Sequence, residues 1–189
     1  MPSYGLIVEG DTDSQVFQHL IKKVNSPDAS IYPLTCGGVG KLMQKFPDWL
    51  NAFERVHDGG PVDGALVIRD CDNKTPTMVL RQMKEKLGRK TYRFPVEFCA
   101  VRRKLDSWLL ADENAINKVS RGRVVARVNE AIEDINDPKE RLQEILNEVK
   151  LKYTAAVLGE IAAVTELEEL ERRVPSFKFF KESVLRIYR

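Results

Sequence analysis

Apolar residues fall along this chain in two rhythms. Runs of four to six apolar positions alternate with longer stretches whose apolar residues recur every three or four positions. This alternation predicts an α/β fold. The short runs predict strands at Tyr4 to Val8, Ser30 to Leu34, Ala65 to Arg69 and Val96 to Val101. The first and third are continuously aliphatic, as expected of strands whose two faces are both covered by helices.

Asp11, Thr12 or Asp13 is expected to cap a first helix that buries Val16, Phe17, Leu20, Ile21 and Val24 and turns Gln18, Lys22 and Lys23 to solvent. A second helix is expected after Gly37-Gly38-Val39-Gly40, burying Leu42, Phe46, Trp49, Leu50 and Phe53, with Pro47 interrupting or kinking it. A third opens at Thr75-Pro76 and closes near Gly88. Beyond about residue 104 the pattern is helical throughout. Helices are expected over Lys104 to Ala111, roughly Val124 to Ile135, Asp137 to Leu151, Ala155 to Ala163, Glu166 to Arg173 and Ser176 to Tyr188. Asn136-Asp137-Pro138 and Val174-Pro175-Ser176 punctuate them, and neither a repeat nor a low-complexity linker is seen. The organisation predicted is an α/β core over residues 1–112 and a helical extension over 113–189 packed upon it.

Composition narrows the class without naming a function. A chain of 189 residues can bury a full core, and 43% hydrophobic with 31% charged residues suits a globular protein rather than a disordered one. Cys36, Cys71 and Cys99 lack any CxxC or Cys/His ligand spacing, which argues against zinc and structural disulfides and for a reducing compartment. The N-terminus lacks a secretory pattern and no apolar stretch approaches the roughly 18 residues of a membrane span, so a cytoplasmic protein without a membrane partner is expected. The net charge of +2 is too small to announce a nucleic-acid partner.

The acids change the picture. In a parallel α/β sheet ligands bind at the C-terminal ends of the strands, and two strands end in acid there. The first runs through Leu6-Ile7-Val8 into Glu9 and Gly10, with Asp13 one helical turn on; the third ends Ile68-Arg69-Asp70-Cys71-Asp72. If the two strands are neighbours, four carboxylates converge, raising each other's pKa and costing stability unless a cation lies among them. Hard oxygens suit Mg²⁺ or Mn²⁺. For any one of these acids alone, a solvated cap or turn is the competing reading.

An aliphatic strand ending in Glu9-Gly10, Asp13 four residues after the glutamate, and Asp70-Cys71-Asp72 after a later strand resemble the Toprim domain, a Rossmann-like core with a mostly parallel four-stranded sheet. That superfamily includes topoisomerases, primases, a ribonuclease that matures ribosomal RNA and the nucleases of the OLD (overcoming lysogenisation defect) type. Lys104-Leu105-Asp106-Ser107-Trp108-Leu109-Leu110-Ala111-Asp112 and Val174-Pro175-Ser176-Phe177 are similar to stretches of small stand-alone bacterial Toprim-like proteins that carry a "WLLAD" motif. Those proteins usually have glutamate before that motif where this chain has Asp106, and a lysine after a tyrosine where this chain has Thr154 after Tyr153. Lys150 and Lys152 lie close by and can substitute.

The resemblance implies Mg²⁺-dependent breakage of phosphodiesters in DNA or RNA, an ATPase as a partner, and a role in defence against phage. In such chemistry Glu9 serves as general base or bridging ligand, Asp70 and Asp72 as principal ligands, Asp13 and Asp106 as further ligands, and Lys152 as a catalytic cation. Topoisomerase action is disfavoured, because it needs a nucleophilic tyrosine in a further domain.

The glycine-rich turn before the second helix is not a P-loop, yet its amides, Gly38 and Lys41 are expected to cradle a phosphate. Gly10 gives close approach at the first strand. Arg69, Arg102, Arg103 and Lys104, at or past strand ends, and Arg121, Arg123 and Arg127 further on, are candidates for backbone phosphates. His19 and His57 are each isolated and receive no role. Two other classes remain open: a non-catalytic Toprim module that binds nucleic acid or a partner, and a small-molecule phosphatase built on Asp70-Cys71-Asp72. The second is disfavoured, since its nucleophilic aspartate should follow the first strand.

Overall fold

Strands β1 (Ser3–Val8), β2 (Ser30–Thr35), β3 (Gly64–Asp70) and β4 (Val96–Val101) form a sheet in the order β2-β1-β3-β4, and every pairing is parallel. The computed structural model describes residues 1–56, 59–122 and 127–187. Side chains alternate across the sheet as a pleated strand demands. Leu6, Val8, Leu66 and Ile68 join one core cluster, while Ile7, Ala65 and Val67 join another on the opposite face.

The second face is covered by α2 (Val39–Ala52) and α3 (Pro76–Leu87), which contribute Leu42, Phe46, Leu50, Val79 and Met83. Phe53 follows α2 in a 3-10 turn and lies directly on β1 at Gly5, where a Cβ would come within 2.3 Å of its ring; only glycine fits there. The first face is covered by α1 (Asp11–Val24) together with the C-terminal half of the chain. That half comprises α4 (Asp106–Leu110), α5 (Glu113–Val119), a 3-10 turn (Ile132–Asp134), α6 (Pro138–Glu148), α7 (Ala155–Val164), α8 (Leu167–Arg173) and α9 (Phe177–Ile187). Trp108 on α4 is fully buried, with ring centroids 5.9 Å from Phe17 of α1 and 5.2 and 5.4 Å from Phe177 and Phe180 of α9. One indole thus joins three helices that are distant in sequence, and its edge-to-face contacts add to the area it buries.

The strands stand within a residue of their expected bounds, and α3 opens as expected with Thr75 Oγ1 accepting from the Met78 N–H at 3.3 Å. Four details differ. Pro47 does not interrupt α2: its ring is buried in the helix, and the Tyr92 hydroxyl donates to its carbonyl at 3.0 Å. Gly10, not an acid, caps α1, and Asp13 reaches back to accept from the Gly10 N–H at 2.9 Å. The helix expected over roughly Val124 to Ile135 is absent among the described residues, where only the short turn at Ile132–Asp134 is helical; 123–126 lie outside the described residues. Helix α5 was not expected, and it starts because Asp112 Oδ1 accepts from the Ala115 N–H at 3.0 Å. Tyr188 and His57 lie outside the described residues.

Candidate functional site

The strand order sets the site. With β2 on one side of β1 and β3 and β4 on the other, the order in which strands are laid down reverses between β1 and β3 while all stay parallel, and such a switch point opens a crevice at the carboxyl ends of the two strands. Glu9 and Asp70 leave the sheet there. The Asp70 N–H donates to Glu9 Oε1 at 3.3 Å, so the two acids sit side by side.

Two more acids arrive from the α1 side. Asp13 is held one turn into α1 by its bond to Gly10. Asp106 opens α4 and is 7% exposed, so it is not an exposed helix cap: Leu105 is the residue that precedes the helix, and Asp106 is buried. Its Oδ1 accepts from the hydroxyl of Tyr153, just before α7. Lys139 of α6 lies 5.2 Å from the centroid of the Tyr153 ring and is the cation acting on both Asp13 and Asp106.

Electrostatics reports this crowding. Burial, then the charge of Asp13, pushes the Glu9 carboxyl up to about 7 against the partial relief of the Asp70 N–H and Arg69. Burial pushes Asp13 up to about 6, with Asp106 adding to the rise and the Gly10 N–H opposing it. Asp70 is raised well above the carboxylate range by burial and by Asp13, Glu9 and Asp106, although a hydrogen bond from the Leu105 N–H works the other way. Asp106 is raised by burial and lowered by Tyr153, whose own phenol is pushed up by burial and by Asp106. Four acids from four elements therefore share one field, and a cation among them would relieve it.

The donor set is all carboxylate oxygen, which fits Mg²⁺ or Mn²⁺ in chemistry. Among the described residues, no three His, Cys, Asp or Glu side chains are already arranged about a common point for a metal. The hydrogen bonds explain why: Glu9, Asp13 and Asp106 each have an oxygen turned to an N–H or O–H donor.

Other expected site residues are spread more widely. Asp72 is exposed, with φ 49°, and its N–H donates to the Arg103 carbonyl at 3.0 Å; its charge acts on Glu9 from the solvent side. Lys152 is exposed, and the lysine whose charge acts on both Asp13 and Asp106 is Lys139. The Gly10 N–H is occupied by Asp13. Gly38, with φ 118°, caps α2, but its N–H and that of Gly37 donate to the Glu9 carbonyl at 3.1 and 2.7 Å. Lys41 is exposed on the first turn of α2. Arg69 is 6% exposed and faces α3, on the opposite side of the sheet from α1. Arg102 pairs with Glu133 at 3.4 Å and Asp134 at 3.3 Å, and Arg103 Nε donates to the Glu133 carbonyl at 3.3 Å. Lys104 is half-buried beside them, Arg121 and Arg127 are exposed, and Arg123 lies outside the described residues. Tyr153 as a partner of Asp106, and Lys139, were missed. No local pattern marks either, since both reach the acids only through the packing of α6 and α7 against α4 and α1.

The chain belongs to the family described as "Protein of unknown function (DUF3226)", whose pattern matches residues 3–156. That span holds all four acids, Tyr153 and Lys139. No curated protein and no solved structure matches the chain. No helix among the described residues is long and apolar enough to cross a membrane.

Proposed function

We propose that this protein is a Mg²⁺- or Mn²⁺-dependent nuclease of the Toprim type that hydrolyses phosphodiesters in DNA or RNA. It works in the cytoplasm, in defence against phage, alongside an ATPase partner. The observation that carries the reading is the convergence of Glu9, Asp13, Asp70 and Asp106 at the switch point of a parallel sheet, with their carboxyls raised by burial and those of Glu9, Asp13 and Asp70 also by neighbouring acids.

Asp70 and Asp13, whose charges act on each other, would hold the ion, with Glu9 and Asp106 completing its surroundings. A bound divalent ion supplies charge neutralisation at the phosphate and acidifies water. Glu9, whose carboxyl is raised to about 7, is suited to take a proton from an attacking water and pass it to solvent. Tyr153 fixes the Asp106 carboxylate by a hydrogen bond from its hydroxyl, and Lys139 favours the charged form of both Asp106 and Asp13.

The test is cleavage of labelled single- and double-stranded DNA and RNA in Mg²⁺ or Mn²⁺. Activity that disappears in Glu9→Gln and Asp70→Asn while both variants stay folded is the expected result. A second reading, a module that binds nucleic acid without cutting, is favoured by the turned-away oxygens of Glu9, Asp13 and Asp106. Calorimetry with Mn²⁺ separates the two: no heat in the wild type, with nucleic-acid binding indifferent to Glu9→Gln, selects the binding module.

A further inference from the structure

Behind the acids, on the other face of the sheet, lies a second site of opposite character. A shallow, open pocket of about 560 Å³ lies between the first turn of α2 and the side of α3, lined by Gly40, Arg69, Lys74, Gln82, Glu85 and Lys86. Arg69 is 6% exposed, and its Nε is buried without a hydrogen-bond partner. Its Nη1 donates to Gln82 Oε1 at 3.1 Å, and Lys74 Nζ reaches the same oxygen at 3.5 Å. Two cations therefore converge on one neutral amide oxygen. Among the described residues neither Arg69, Lys74 nor Lys86 is ion-paired, and Glu85, the one acid of the lining, is exposed and lies 3.7 Å from Arg81.

A buried guanidinium without a counter-ion is costly, and the cost is removed when an anion enters. The cavity offers more to an anion than charge. Val39 and Gly40 occupy the first turn of a 14-residue helix, whose leading N–H groups lack intrahelical acceptors and carry the positive end of its dipole. Arg69, the mobile ammonium groups of Lys74 and Lys86, and the helix N-terminus are the complement of a tetrahedral phosphoryl oxyanion.

We infer that the α2–α3 cavity binds a phosphoryl group, held by Arg69, Lys74, Lys86 and the first amides of α2. For the identity of its bearer the inference rests on the nuclease reading: Arg69 precedes Asp70 in β3 and acts on Glu9 across the sheet edge, so the group is a phosphate of the substrate strand next to the one that reacts. Free orthophosphate offers the same chemistry.

The experiment is a titration of the full chain, in chelator and without divalent ions, followed by backbone and side-chain amide resonances. The ligands are orthophosphate, a 5′-phosphorylated dinucleotide and the same dinucleotide with a 5′-hydroxyl. Phosphorylated ligands should shift the Val39 and Gly40 amides and the Gln82 carboxamide. Loss of one charged hydrogen bond corresponds to about tenfold in affinity, which is the weakening expected of Arg69→Gln. Lys74→Ala and Lys86→Ala, both at exposed positions, should weaken binding by smaller factors without altering the fold, so the inference stays testable if Arg69→Gln is unstable. Tighter binding of the phosphorylated dinucleotide than of orthophosphate assigns the site to the substrate, and the reverse assigns it to the free ion. Shifts scattered over surface lysines, or affinities untouched by Lys74→Ala and Lys86→Ala, overturn it. Since no metal is present, phosphate binding that survives in a protein that never cuts counts against the nuclease reading alone. Cleavage without phosphate binding counts against this inference alone.

Discussion

The two sides of the β1–β3 crevice carry opposite charge, and neither is balanced. On the α1 side Glu9, Asp13, Asp70 and Asp106 crowd together, relieved in part by Lys139, by Lys104 at Asp106 and by Arg69 at Glu9. On the α2–α3 side Arg69 and Lys74 meet on the amide oxygen of Gln82. Elsewhere the chain pairs its charges in the ordinary way, as Arg93 does with Glu54 and Arg186 with Glu97. A fold optimised for stability alone would have brought Arg69 onto one of the acids a few residues away. Keeping the two signs apart raises the energy of the empty protein, and it makes sense when each side is completed by a ligand of the other sign.

Separability is the first thing to break. Glu9→Gln should lower cleavage by about two to four orders of magnitude, the range for loss of a positioned base, while phosphate titration at the Val39 and Gly40 amides stays as in the wild type. If both fall together, the two sides are a single site.

The acidic side should also announce itself in stability. The Glu9 carboxyl stands near 4.5 in the unfolded chain and about 7 in the folded one, and that of Asp13 near 3.8 and about 6. The folded state holds these protons more tightly, so their contribution is greatest below the unfolded values and is lost as pH rises through the folded ones. Without metal, the melting temperature should therefore fall between pH 5.5 and pH 8, by about 5 °C after allowance for solvent screening. Mg²⁺ should restore most of the loss at pH 8 and add little at pH 5.5. A metal-free melting temperature that rises over this window contradicts the crowding.

Smaller effects sharpen the contrast. Tyr153→Phe removes the donor to Asp106 and should change Mn²⁺ affinity by about three- to tenfold in calorimetry, within the range for one hydrogen bond to a charged group. Arg69→Met replaces an unpaired buried cation by an apolar chain of similar length. Its metal- and phosphate-free melting temperature should stay level or rise by about 2 °C, because exchanging buried charge for apolar volume is neutral or stabilising. A large fall would mean that Arg69 has a structural partner.

Much of this was legible in the residues. Both halves of the acid pair at the switch point stand at the ends of aliphatic runs, where period and composition agree, and the strands fell where those runs lie. The misreadings share a cause. Val128 and Ile132 lie four apart and read as a helical face, yet Val128 is buried from irregular chain, and Ile132 enters the core after Ala131 at φ −63°, ψ 116°. Burial alone does not declare the backbone that delivers it. Helix α5 spans 7 residues and buries only Ala115 and Ile116, too little for a periodic signal. Asp106 stood out only through its neighbours Trp108 and Leu109, and its contact with Tyr153 spans 47 positions, beyond any local pattern. The Arg69 cavity depends on Gln82 and Lys86, unremarkable residues on a solvated helix until α3 is laid against β3.

Glu9 has a further property through its main chain. While its side chain faces the acids, its carbonyl accepts from Gly37 and Gly38, the turn that aims α2 at the phosphoryl cavity. One residue therefore lies against both sites, its carboxylate among the acids and its carbonyl, which the side-chain substitution Glu9→Gln leaves in place, beneath the start of α2. Thermodynamic reciprocity then requires that whatever factor Mn²⁺ imposes on phosphate affinity, phosphate imposes on Mn²⁺. The Gly37 and Gly38 hydrogen bonds are thus the structural element through which the two sites would be coupled.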